Sequence, residues 1–158
     1  MVATTRAVAY IALGANLGDR ERNIREAVAR LASSGDVEVV KISSLLENPA
    51  VGGPPDAPPF LNAAAAVRTT LSPQQLVDRL LDIERQMGRV RNVKWAPRVI
   101  DLDLLLYGDE TLRTPHLTLP HPRLHERRFV LEPLAEIAPD AIHPVLKKTA
   151  RELLVALD

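Results

Sequence analysis

Apolar residues follow two rhythms along this chain, and the change from one to the other marks its elements. Ala7 to Leu13 is a nearly unbroken apolar run closed by Gly14, the pattern of a buried strand. Gly14-Ala15-Asn16-Leu17-Gly18-Asp19 then reads as a turn, and Ile24, Ala27, Val28 and Leu31 recur at helical spacing until Ser34-Gly35. Val37 to Ile42 alternates as a second strand, and Phe60 to Thr69 reads as a third. Ser72-Pro73-Gln74-Gln75 opens a helix with a capping serine, a first-turn proline and a glutamine three residues on. Its stripe is Leu76, Leu80, Ile83 and Met87, and Gly88 ends it. A fourth strand follows from Ile100, and Gly108-Asp109 is expected to turn it into a short returning strand at Thr111-Leu112. A short helix is expected near Val130 to Ile137, and Thr149-Ala150-Arg151-Glu152 is a capping box for a last one. The order β-α-β-β-α-β predicts an α+β fold: a ferredoxin-like βαββαβ core with an added short hairpin strand and C-terminal helices.

Between Asn48 and Pro59 lie five prolines and two glycines. Such a segment is too stiff for a helix and too poor in donors for a ladder, so it reads as a long surface loop of the kind that lines binding sites. At 158 residues the chain is expected to form one domain, 1–158, with a core of Leu, Val, Ile and Ala. The formal net charge is zero, which argues against generic binding to nucleic acid or to a membrane surface. No run is apolar enough to span a membrane, and cysteine is absent, removing disulfides, thiolate metal sites and thiol nucleophiles. A cytoplasmic monomer is the expectation.

The chemistry concentrates in Trp95-Ala96-Pro97-Arg98-Val99-Ile100-Asp101-Leu102-Asp103-Leu104-Leu105. On a strand, Ile100, Leu102, Leu104 and Leu106 share one face, and Asp101, Asp103 and Tyr107 the other. Aspartate is a poor strand former, so two within so apolar a run need a reason. Two hard oxygen donors suit one Mg²⁺, or two ions about 3.5–4 Å apart sharing a substrate oxygen. Arg89, Arg91, Lys94 and Arg98 crowd the approach. Alternating aspartates are often only solvated surface, but the aromatic, cationic loop leading into these favours phosphoryl-type chemistry. Phe60, Trp95 and Phe129 stand beside loops or polar motifs, where aromatic faces can stack on a planar ligand.

Lys94 to Leu105 closely resembles the signature of 6-hydroxymethyl-7,8-dihydropterin pyrophosphokinases. The likeness extends to Gly14–Asp19, Phe60-Leu61-Asn62-Ala63-Ala64, Gly88-Arg89-Val90-Arg91 and Leu119-Pro120-His121-Pro122, in the family's order over nearly the whole chain. It implies transfer of the β,γ-pyrophosphoryl group of ATP to the pterin hydroxymethyl group in folate biosynthesis. It also implies Asp101 and Asp103 as ligands of two Mg²⁺ ions, with Arg89, Arg91 and Arg98 as catalytic, phosphate-facing cations. His121, Arg127 and His116 would join those arginines around ATP. Asn48, Pro49, Val51, Phe60, Asn62, Trp95 and Phe129 would line the pterin pocket, Asn62 matching the ring edge with a donor and an acceptor. The chain departs from the family's habit in carrying Phe60 for Tyr, Asn48 for Thr and His116 for Arg. His125, Arg123 and Arg128 read as surface. Two other readings remain: a Mg²⁺-dependent phosphohydrolase or nuclease using the same aspartates, and a noncatalytic ferredoxin-like binding module.

Overall fold

A computed structural model describes residues 6–48, 59–88 and 99–158. Strand β1 (Ala7–Ala15), helix α1 (Arg20–Ala32), strands β2 (Val37–Ile42), β3 (Leu46–Asn48) and β4 (Phe60–Thr69), helix α2 (Pro73–Gln86) and strand β5 (Asp101–Tyr107) follow one another. Two short strands, β6 (Leu112–Arg113) and β7 (Thr118–Leu119), a 3-10 turn at Leu124–Glu126, and helices α3 (Arg128–Ile137) and α4 (Ala150–Val155) come after them. The helix starts obey local chemistry. Asp19 caps α1 by accepting from the Arg22 N–H, while Ser72 with Gln75 and Thr149 with Glu152 form reciprocal capping boxes. Each side chain satisfies a backbone donor that the first helical turn leaves without a partner.

The main sheet runs β2-β4-β1-β5 with every neighbouring pair antiparallel, and β3 also pairs with β4. Helices α1 and α2 cover one face, packing Ile24, Leu31, Leu76 and Leu80 onto Ile11 and Leu13. Helices α3 and α4 lie on the other, where Leu131, Leu134 and Leu153 meet Leu105 and Leu106. The alanine run of β4 is buried on both sides: Ala63 and Ala65 belong to the first core, and Ala64 and Ala66 pack with Ile137 of α3. The fold is therefore mixed α/β, an antiparallel sheet between two helical layers.

Three details differ from the sequence pattern, each for a local reason. Strand β1 continues past Leu13 because Gly14 pairs with Asn62 on one side and Asp101 on the other. A Cβ on Gly14 would stand 3.0 Å from Asn62 Nδ2 and 3.4 Å from Phe60 Cδ1, so this glycine permits a close approach within the strand. Secondly, the β1–β5 register slips: Tyr10 faces Leu106 and Ile11 faces Leu104, leaving Leu105 as an extra bulged residue. The bulge reverses the alternation beyond it, so Tyr107 enters the core with Leu102 and Leu104, and Leu106 turns to the α3 side. Thirdly, the strand after Gly108 is Leu112–Arg113 and pairs with β7 rather than returning along β5. The outer edge of β5 is already engaged, since the Leu102 N–H donates to Glu84 (2.8 Å) and the Leu105 carbonyl accepts from the His121 N–H (2.9 Å).

Candidate active site

The sheet register draws several of the expected residues into one band. Asp101 lies opposite Gly14, Gly14 opposite Asn62, and Asn62 opposite Leu46. On one side of this row Asn48 lies opposite Phe60, and on the other side Asp103 lies opposite Ala12. Directly opposed residues share a face. Ala12 and Ala64 pack toward α3, so the whole band is on that face of the sheet. Asp101 is half-buried and Asp103 exposed. Their Cα atoms are about 6–7 Å apart along the strand, and Asp101 and Asn62, two strands apart, are separated by about 10 Å.

Asn62 is buried, and its Oδ1 has no hydrogen-bond partner among the described residues. A buried acceptor left without a donor is uncommon and calls for a ligand or an ordered water. Phe60 stands half-buried beside it, close to Gly14. Phe129, also half-buried, occupies the first turn of α3, with the Arg127 guanidinium 5.8 Å from the ring centroid. This is within cation–π range.

A cavity of about 350 Å³ opens against the outer edge of β5. Val77, Leu80 and Leu81 of α2 supply an apolar wall, and Asp103, His116 and His121 a polar one. The His121 imidazole titrates below its ordinary range, first because of burial and then because Arg127 and Arg123 place positive charge beside it. Its Nδ1 accepts from the Arg123 N–H (3.2 Å), so the neutral ring presents Nε2–H as a donor. His125 is more enclosed than its surface reading, and its ring meets that of His143 edge-on at 6.0 Å. Arg128 is surface, as expected, in ion pairs with Glu132 and Asp158.

Among the described residues, no three metal-binding side chains converge. Among the described residues, Asp101 and Asp103 offer a pair of carboxylates. This suits Mg²⁺, which keeps waters and takes phosphate oxygens, better than a metal needing an all-protein cage.

Pro49, Val51, Arg89, Arg91, Trp95 and Arg98 lie outside the described residues. Two residues that bear on the band, one within it and one behind it, carry no site motif of their own in the sequence. Gly14 was read as a strand end, although an apolar run continuing to Ala15 was the available signal. Glu84 is 1% exposed on α2; four residues after Leu80, it stands on the helix's buried side, where only apolar residues were expected.

Residues 10–139 match the family described as 7,8-dihydro-6-hydroxymethylpterin-pyrophosphokinase (HPPK). A 2-amino-4-hydroxy-6-hydroxymethyldihydropteridine pyrophosphokinase of Bacillus subtilis (strain 168) is 49% identical over 130 residues, 82% of this chain and 77% of its own. The protein of that name from Synechocystis sp. is 43% identical over 150 residues, 95% of this chain and 76% of its own. Among solved structures, wild-type Plasmodium falciparum HPPK-DHPS with pteroate superposes with a TM-score of 0.77 at 17% identity. The match covers 99% of this chain and 43% of that one, and it speaks for the fold alone.

Proposed function

The chain belongs to the 7,8-dihydro-6-hydroxymethylpterin-pyrophosphokinase family, and from that premise we propose that it moves the β,γ-pyrophosphoryl group of ATP onto the hydroxymethyl oxygen of 6-hydroxymethyl-7,8-dihydropterin, leaving AMP, in folate biosynthesis. One observation carries the residue assignment: the row Asn62–Gly14–Asp101 crosses three strands on a single face. The unpartnered Asn62 Oδ1 at one end suits a pterin edge, and the carboxylate at the other suits Mg²⁺ and phosphate. Their separation of about 10 Å leaves room for a bicyclic ring between them.

In this reading Phe60 and Phe129 stack on the pterin, and Asn62 and Asn48 face its edge, with Pro49, Val51 and Trp95 completing the pocket. The cavity beside β5 takes the nucleotide. His121 donates Nε2–H to a phosphate oxygen, Arg127 and His116 add donors, and Arg89, Arg91 and Arg98 meet the transferring group. Asp101 and Asp103 would hold Mg²⁺, two ions in this proposal, which supplies charge neutralisation at the phosphates. Phosphoryl-type transfer depends mainly on such positioning and on cations placed where charge develops. The hydrolase and binding-module readings account for neither Asn62 nor the family match. The proposal includes a single-domain monomer and a ferredoxin-like core, of which the strand order β2-β4-β1-β5 supports the core. A cytoplasmic site of action is also proposed; no helix among the described residues is long and apolar enough to cross a membrane.

Calorimetry tests the layout. Asn62→Ala should weaken pterin binding by about 1–3 kcal/mol, the cost of leaving buried polar groups unpaired, with ATP-analogue binding unchanged. Unaltered pterin affinity, or a loss confined to the nucleotide, would move the pterin elsewhere.

A further inference from the structure

Glu84 is a carboxylate buried to 1% exposure in the last turns of α2, on the helical layer opposite the active face. Burying a carboxylate costs free energy that a leucine at the same place would not. Its Oε2 accepts the backbone N–H of Leu102 at 2.8 Å. Leu102 is the residue between Asp101 and Asp103. That segment is also the start of β5. It begins at Asp101, the last β1–β5 pair is Gly14 with Asp101, and β5 is the edge strand of the sheet. The β1 ladder holds one side of the strand end, and Glu84 holds the other. A carboxylate acceptor gives a stronger bond to a backbone amide than a neutral one does.

We propose that Glu84 is a positioning residue for the metal-binding strand, fixing the pleat at Leu102 so that Asp101 and Asp103 present their carboxylates to one site. The inference rests on the pyrophosphokinase reading for what those aspartates hold. The bond itself can be read without substrate or metal, from amide hydrogen exchange.

Glu84→Ala and Glu84→Gln test it together. In metal-free protein, Glu84→Ala should speed exchange at the Leu102 amide at least tenfold, while amides at the centre of β4 keep their protection. With ATP and pterin, the Mg²⁺ concentration for half-maximal rate should rise severalfold and kcat fall at least tenfold. Metal-free pterin affinity should stay within twofold. Glu84→Gln keeps an oxygen acceptor and should restore Leu102 protection and the Mg²⁺ response to within about threefold of the parent. A folded Glu84→Ala protein with parental Leu102 exchange and Mg²⁺ response overturns the proposal. So does a Glu84→Gln protein that is well folded and protected at Leu102 yet loses the Mg²⁺ response, because charge rather than strand position would then be the cause. If Glu84→Ala does not fold, Glu84→Gln decides by the same two readouts. Failure of the functional reading looks different: the parent protein itself would then need no Mg²⁺.

Discussion

At the residue scale, the site is a set of polar groups held where polar groups are costly, and each has a distinct expected signature. Asp101→Ala and Asp103→Ala should each nearly abolish turnover, since a lost ligand removes several kcal/mol of charge stabilisation at the phosphates. Circular dichroism and steady-state rates on the two proteins check this; near-parental rates at limiting Mg²⁺ would contradict it. His121 titrates below its ordinary range because it is buried beside Arg127 and Arg123. A bound triphosphate opposes both causes of positive potential, so an ATP analogue should raise the His121 pKa, a shift visible in imidazole ¹⁵N spectra. An unchanged titration would place the phosphates away from this ring. The strand positions of Asp101, Asp103 and Asn62 were legible from the sequence, and polar groups there stand out against the apolar runs that carry them. Glu84 was not, because a helical stripe is recognised by its apolar members and hides a carboxylate among them.

At the scale of elements, the register of three strands does what no single motif announces. Asn62 and Asp101 are 39 positions apart in sequence and meet only through Gly14, paired to both. The strand and helix segments themselves followed from periodicity and capping chemistry, and Phe60–Thr69 and both capping boxes appear where the pattern put them. Bulges leave no such trace. Nothing in Leu104-Leu105-Leu106 signals that one residue is extra, and so the faces of Leu106 and Tyr107 were assigned the wrong way round. The short β3 was hidden as well, because Leu46–Asn48 gains its ladder only from β4. Gly14→Ala tests the importance of the register: the added methyl would meet the Asn62 amide at 3.0 Å. Pterin affinity should fall at least tenfold while the protein stays folded, by calorimetry and thermal melting. Ser72→Ala, which removes a cap far from the band, should cost about 1 kcal/mol of stability and leave affinity alone.

For the whole molecule, two histidines, His143 buried and His121 half-buried, set a direction for stability with pH. His121 is depressed by burial and then by Arg127 and Arg123, and His143 by burial and then by the charge of His125. The unfolded chain therefore takes protons first as pH falls through about 6.5. Stability present above that value should decline as pH drops through the lower folded-state values. Urea midpoints between pH 7.5 and 5 should fall accordingly, and a flat profile would contradict the lowered titration of these two rings. As a catalyst, the molecule is defined by the products it releases. With ATP labelled at the γ-phosphorus, Mg²⁺ and 6-hydroxymethyl-7,8-dihydropterin, the protein should release AMP and a labelled pterin diphosphate in equal amounts, neither appearing when pterin or Mg²⁺ is left out. ADP with a pterin monophosphate, or release of labelled phosphate without pterin, would contradict pyrophosphoryl transfer.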